Sequence, residues 1–355
     1  MLPNRELYFV LFFVAATLFS FFATKIVRRL ARHLKVYDVP RYPRQIHTEV
    51  KPKLGGLAVF ITLTVGLVAL ALLGGTDEIG GWRLFGLVIG GVILILGGAL
   101  DDKYDLPPGV QILFPFAAAA LVVLAGAHIS YITNPLGGKI ILDQYKILGY
   151  PVFGSLLVFL WILGITYTTK FLDALDGLVS GISGIAALVI FAVSLAPQVN
   201  QTTTAFIALI FAGASFGFLP HNFFPAKIFL GEGGSTLAGF VIAVLAVISG
   251  AKIATALLVL GIPILDAVWV IARRLWFHSS PFVGDKKHLP FRLYDIGLSQ
   301  RQAVLLLYFF AAAFGGVAVF LQSLGKLVAL LILSLVMAVV AVTVVLIYRR
   351  KRRGL

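Results

Sequence analysis

Two adjacent carboxylates, Asp101 and Asp102, sit near the end of the run Gly97-Gly-Ala-Leu-Asp-Asp-Lys-Tyr-Asp105, just before Pro107-Pro108. At the polar end of an apolar helix, such a pair is costly unless cations or a metal face it. An oxygen-rich site of this kind favours Mg²⁺ over softer metals and suits phosphate chemistry. The two glycines beside the pair leave room for a ligand. A solvated helix cap is the plainer alternative, and that room beside the pair argues against it.

The theme recurs in Lys170-Phe-Leu-Asp-Ala-Leu-Asp-Gly-Leu178. Asp173 and Asp176 are three apart, so on a helical turn both point one way. They precede a helix start, where a carboxylate is a favourable cap in any case. Two acids beside a lysine exceed what a cap requires. Lys170 shares a helical face with Asp173 on the same spacing. Two roles are open to it: neutralising a phosphate oxygen of a ligand, or an ion pair with Asp173 that orders the loop.

Further along, Asn222 precedes Gly231-Glu-Gly-Gly-Ser235. This run lacks the lysine of a phosphate-binding loop. It can still turn Glu232 and free N–H groups toward an anion; the alternative is a flexible turn with Ser235 as N-cap. In Asp285-Lys-Lys-His-Leu-Pro-Phe-Arg-Leu293, His288 suits acid–base work or a phosphate contact, and Arg292 a bidentate phosphate contact. The same segment also reads as an interfacial amphipathic stretch, with Leu289, Phe291, Leu293 and Ile296 on the membrane. Lys51-Pro-Lys-Leu-Gly-Gly56, after Arg44, His47 and Glu49, is a basic lip entering a helix whose glycines permit close backbone approach, or a juxtamembrane anchor.

Membrane helices must position all of these. The chain of 355 residues is 60% hydrophobic and 12% charged, with mean hydropathy +1.01, an integral membrane composition. Spans of roughly 20 apolar residues recur near 7–23, 54–73, 82–100, 110–127, 151–169, 177–196, 202–219, 236–250, 251–272, 302–321 and 327–348. The expectation is an all-α polytopic membrane protein of about 11 transmembrane helices, one membrane domain over residues 1–355. The first span is not a removable signal peptide, because its basic residues follow it.

With that reading, the polar segments 24–53, 101–109, 170–176, 220–235, 273–301 and 349–355 share one side and hold 23 of the 29 Lys and Arg residues. The positive-inside rule makes that side cytoplasmic, with the N-terminus outside and the C-terminus inside. A net charge of +14, concentrated there, favours anionic lipid headgroups and anionic substrates. It is spread over juxtamembrane loops, which disfavours nucleic acid as a partner. There are no cysteines, hence no disulfide and no thiolate site. The outer segment 128–150, with Asn134-Pro-Leu-Gly-Gly138, predicts a small β-hairpin. Asp266, the one acid inside a span, is expected to pair with an inner-face base or a buried polar group.

Together the segments resemble the polyprenyl-phosphate N-acetylhexosamine-1-phosphate transferases over nearly the whole chain. Five ordered motifs carry the resemblance: Lys51-Pro-x-x-Gly-Gly, Asp101-Asp102, Asp173-x-x-Asp176-Gly, Asn222-x-x-Pro225-Ala-x-x-Phe-x-Gly-x-x-Gly-Ser and His288-x-x-x-Arg292-Leu. Within the family the chain is similar to the bacterial GlcNAc-1-phosphate transferases of the WecA/TagO type, since the phospho-MurNAc-pentapeptide branch carries adjacent histidines where only His288 stands here. The chain departs from the family in having Tyr167 and Lys170 in place of Asn, Glu232 in place of Asp, and Pro290 and Phe291 in place of further histidines.

The resemblance implies a Mg²⁺-dependent enzyme (Mn²⁺ substituting) of the inner, cytoplasmic cell membrane. Its substrates would be UDP-GlcNAc and undecaprenyl phosphate, with its site facing the cytoplasm among membrane lipid. It implies Glu232 as metal ligand, helped by Asp101 or Asp102, with Asp101, Asp102 and His288 catalytic. Lys51, Lys170, Asp173, Asp176, Asn222 and Arg292 would bind substrate. An Asp acting as covalent nucleophile and one that only orients the lipid phosphate both fit, as does a homodimer. The rivals are another UDP-N-acetylhexosamine donor, a phospho-MurNAc-pentapeptide-type transferase, an inactive scaffold and a transporter. A transporter would place ionisable groups at mid-membrane, where this sequence has only Asp266.

Overall fold

In lipid every backbone N–H and C=O needs a partner within its own segment, so apolar runs of this length fold as helices. The computed structural model describes residues 5–40, 49–76, 81–134, 138–147, 149–197, 199–248, 253–278, 288–321 and 323–352. Arg44, His47 and Asp285 lie outside them.

Helix α1 (Arg5–His33) leads through β1 (Tyr37–Asp38) and β2 (Lys51–Pro52) to α2 (Gly55–Leu72) and α3 (Gly81–Tyr104). A short α4 (Pro108–Gln111) and α5 (Leu113–Leu124) follow, then β3 (Tyr131–Thr133), β4 (Lys139–Ile141), β5 (Lys146–Ile147) and β6 (Tyr150–Pro151). The chain continues as α6 (Val152–Leu172), α7 (Leu178–Ser194), α8 (Thr202–Asn222) and α9 (Gly231–Ile248). It then runs through α10 (Ile253–Val259), α11 (Gly261–Trp276), α12 (Leu289–Asp295), α13 (Gln300–Phe320) and α14 (Ser323–Arg352). Strands β3 and β4 pair antiparallel, with Tyr131 opposite Ile141, so the expected hairpin forms.

Each of the eleven predicted apolar runs coincides with a helix or a helix pair. Among the described residues, however, only eight helices are long and apolar enough to cross a membrane, or nine if α10 and α11 form one span bent by 80°. The runs at 110–127 and 177–196 fold as shorter helices, Pro108–Leu124 and Leu178–Ser194. Both lie at the short end of the length a crossing takes, so the count of eleven is not established by helix length alone. The chain is a mostly helical, multi-pass membrane protein.

Helices α8 and α9 form its centre: 83% and 94% of their apolar windows are buried by protein, against 17% for α14. Helix α9 packs on α2, α3, α6 and α7, and α8 on α1, α2 and α7. The start of α9 is where glycines matter. A Cβ on Gly98 of α3 would collide with the backbone of Gly233, and one on Gly56 of α2 with that of Gly234. Glycine at these crossings lets both helices close on the first turn of α9. The glycines beside Asp101-Asp102 therefore serve helix contact, with Gly97 against the Phe114 ring. The ligand space expected there is not theirs to provide.

Candidate active site

The ends of α3, α6 and α8, and the starts of α2, α4, α7 and α9, meet around one cavity of about 1110 Å³. Nine of the ten residues singled out in the sequence line it: Lys51, Asp101, Asp102, Lys170, Asp173, Asp176, Asn222, Glu232 and His288. Arg292, on the later part of α12, is not among the described residues that line it.

The lip Lys51–Gly56 runs alongside the segment before α9. Phe229 N–H donates to the Pro52 carbonyl at 2.9 Å, and Gly55 and Gly56 N–H donate to Phe229 and Leu230 carbonyls at 3.0 and 2.8 Å. That pairing sets Lys53 Nζ 3.3 Å from Asp102 Oδ1 and 3.5 Å from Asp38. Burial alone would pull the Lys53 ammonium down, but Asp102 and Asp38 outweigh it and hold its pKa above the ordinary value. The Asp102 side chain is only 3% exposed. Both its oxygens accept the backbone N–H of Glu232, at 3.2 and 3.0 Å. A buried carboxylate thus has a cation and a backbone donor, the partners it needs. Lys51 lies over the Phe229 ring, 5.6 Å from its centroid.

Asp101 turns the other way. Its Oδ1 accepts Leu106 N–H at 2.9 Å and Gln111 Nε2 at 2.8 Å, tying the α3 end to α4. Gln111 Nε2 also donates to the Leu106 carbonyl at 2.8 Å. Since Nε2 faces two acceptors, the amide oxygen is free to accept from Lys170 Nζ, at 3.0 Å. Lys170 Nζ also meets Glu232 Oε1 at 2.6 Å and lies 5.7 Å from the Tyr167 ring centroid. The Lys170–Asp173 pair, one of the two roles left open by the sequence, does not form; Lys170 pairs with Glu232 instead. Helix α6 ends at Leu172, and Asp173 has left helical geometry at ψ 58°, so the three-residue helical spacing no longer applies.

The same departure separates Asp173 from Asp176. Asp176 accepts Ala226 N–H at 2.8 Å, while α7 begins at Leu178 with Gly177 as its cap at φ 83°. Neither acid caps α7. Asp173 is open to cavity water yet walled in below the protein surface. Burial, then the charges of Glu232 and Asp102, push its carboxyl up to about 8, against the opposing pull of Lys53. Asn222 lines the cavity, but its side chain is engaged: Ser180 Oγ donates to Oδ1 at 2.9 Å, and Nδ2 donates to the Ile228 carbonyl at 3.1 Å. Its evident work is to hold the 223–230 loop. Ser235 lies inside α9, donating to the Glu232 carbonyl at 3.2 Å, and so is not its N-cap.

His288 caps α12, and its Nδ1 meets Asp266 Oδ2 at 2.9 Å, while Asp266 Oδ1 accepts Leu289 N–H at 2.8 Å. The expected inner-face partner of Asp266 is thus His288. A carboxylate acceptor selects the Nδ1–H form of a neutral ring and leaves Nε2 for other contacts. The ring stacks on Phe171, centroids 6.0 Å apart. Leu289, Pro290 and Leu293 are buried in the protein, so α12 is not an interfacial segment with its apolar residues on lipid.

The oxygen-rich donor set suits a hard cation in kind. Its arrangement does not form a cage: among the described residues no three His, Asp or Glu side chains converge to hold an ion. Glu232, the expected ligand, carries an ammonium, and Asp102 another. Lys53 and Gln111 went unnoticed in the sequence. Lys53 sits two residues beyond Lys51 in the same lip, and Gln111 was the lone polar residue at the start of an apolar run.

Residues 84–250 match the model for glycosyl transferase family 4. The chain is 31% identical to a "probable undecaprenyl-phosphate N-acetylglucosaminyl 1-phosphate transferase" of Bacillus subtilis, over 91% of this chain and 87% of that protein. It is 34% identical to the decaprenyl-phosphate N-acetylglucosaminephosphotransferase of Mycobacterium tuberculosis, over 98% and 91%. It is 29% identical to the undecaprenyl-phosphate alpha-N-acetylglucosaminyl 1-phosphate transferase of Escherichia coli K12, over 86% and 81%. Family model and full-length relatives agree, and the residues the model matches carry three of the five motifs around the cavity. The chain belongs to glycosyl transferase family 4, among the polyprenyl-phosphate N-acetylglucosamine-1-phosphate transferases.

Proposed function

We propose that this protein transfers GlcNAc-1-phosphate from UDP-GlcNAc to undecaprenyl phosphate at the cytoplasmic face of the cell membrane, releasing UMP. The convergence of the five motifs carries the reading: their carboxylates, lysines and His288 line one cavity at one end of the helix bundle. The acceptor and the transferred group follow the names of the relatives. The uridine part, the inner membrane and the cytoplasmic side follow from the resemblance and the charge asymmetry.

In net terms, an acceptor phosphate oxygen bonds to the β-phosphorus of the donor. The bridging P–O bond breaks, and its electron pair leaves with UMP. Such transfers depend on positioning and charge neutralisation. Lys53 and Lys170 supply cationic charge within the cavity, and Asp102 fixes both Lys53 and the first turn of α9. Asp173, protonated more readily than an ordinary carboxyl, can donate a hydrogen bond to an anionic ligand. Asp266 holds His288 so that Nε2 is available to phosphate or sugar. Glu232 is the carboxylate that the resemblance gives to Mg²⁺ or Mn²⁺; a bound ion would neutralise phosphate charge, and Glu232 would have to release Lys170 to hold it.

The test is UMP release by the detergent-purified protein. The reading expects release only when UDP-GlcNAc and undecaprenyl phosphate are both present. Release independent of the lipid phosphate, or none with either lipid or donor varied, would set it aside in favour of a hydrolase, a scaffold or a transporter.

A further inference from the structure

We propose that the Lys170 ammonium, clamped between Glu232 and Gln111, takes the place of a divalent cation and neutralises a diphosphate oxygen of the donor directly. The identity of that anion rests on the transferase reading above. The competition between lysine and cation does not.

Lys170 is held rather than loose. Gln111 cannot rotate its oxygen away without breaking its bonds to Asp101 and to the Leu106 carbonyl, so the 3.0 Å contact to Lys170 is oriented in advance. Glu232 takes a second N–H at 2.6 Å. An ammonium has three donors, and the third remains for a ligand in the cavity that Lys170 lines. A divalent ion on Glu232 would have to displace this ammonium or sit against it, and like charges at such range repel strongly in a partly desolvated site. No alternative cage of acids and histidines exists among the described residues. Cationic groups are nevertheless present: Lys53 on Asp102 and Lys170 on Glu232 set two ammonium groups, each paired with a carboxylate, beside the first turn of α9. Both lysines line the same cavity, so a diphosphate entering there meets two ammonium groups.

Two measurements on the full-length protein test this: UMP release in excess EDTA against excess Mg²⁺, and Mn²⁺ binding by electron paramagnetic resonance without donor. The natural chain is compared with Lys170→Asn, and with Lys170→Met should the first variant fail to elute as folded protein. The expected results are EDTA turnover within about threefold of that with Mg²⁺, and Mn²⁺ binding at least about tenfold tighter once the lysine is removed. A larger fall in EDTA that Mg²⁺ restores overturns the proposal. Mn²⁺ binding as tight, or as undetectable, in the natural chain as in the folded variant overturns it equally. Absence of UMP release under every condition defeats the transferase reading by itself, and the Mn²⁺ comparison then still decides the part assigned to Lys170.

Discussion

The Asp102 carboxylate accepts the Glu232 backbone N–H through both oxygens, at 3.2 and 3.0 Å, and so joins the end of α3 to the first turn of α9. Asp101, its neighbour, faces Leu106 and Gln111 instead. Two adjacent acids therefore have unlike duties, and they should fail differently.

Asp102→Asn removes the charge that holds Lys53 while keeping the shape. Turnover should fall by about a hundredfold or more, the loss typical of a preorganised electrostatic group. Asp101→Asn should cost less, because an amide oxygen can still accept from Leu106 and Gln111. Steady-state rates of UMP release for the two variants check this. Equal losses would show that the division between the acids is wrong.

Gly98→Ala should destabilise the protein by about 1–3 kcal/mol, the usual cost of overpacking, because the new methyl group meets the Gly233 backbone. The collision also pushes Asp102 from Glu232, so activity should drop with the melting temperature. Gly109→Ala is the control, since a Cβ there has nothing within 4 Å. Thermal melting in detergent distinguishes them; a harmless Gly98→Ala would refute the packing account.

The raised Asp173 carboxyl has a consequence for stability. Its folded value, about 8, lies above the unfolded value of about 4, so the folded state binds the extra proton across that window. Stability should then fall as pH rises from about 4 toward about 8, and level off above. Asp173→Asn should flatten part of that slope in melting curves recorded without substrate. A slope unaffected by the substitution would mean Asp173 titrates normally.

Much of this was legible because membrane helices are written as long apolar runs, and all eleven runs coincide with helices. Their ends were less legible. Glycines at 231–234 look like a turn, yet α9 begins there because Gly233 and Gly234 are needed for contact with α3 and α2. That contact is tertiary, and local propensity cannot report it. The Lys170–Glu232 pair was hidden for the same reason, since it depends on α6 packing against α9. Asp173 misled by spacing: three-residue arithmetic assumes a helix, and the helix stops one residue earlier. Arg292 fits its motif but is not among the described lining residues: α12 faces the cavity with Phe291 and Tyr294, its neighbours in the helix, and with the capping His288.

Orientation can be checked in this cysteine-free chain with no background. Single cysteines at Tyr104 and Lys227, both exposed, should react with an impermeant maleimide only from the cytoplasmic side. One at Lys139, on the β3–β4 hairpin, should react only from outside. Labelling of Tyr104 and Lys227 from opposite sides would break the single-site account.

The most direct measurement is the mass of the lipid product formed from UDP-GlcNAc and undecaprenyl phosphate, with the nucleotide released identified alongside it. Transfer of GlcNAc-1-phosphate predicts undecaprenyl-diphospho-GlcNAc and UMP in equal amounts. A lipid bearing GlcNAc on its single original phosphate, with UDP released, would contradict the account.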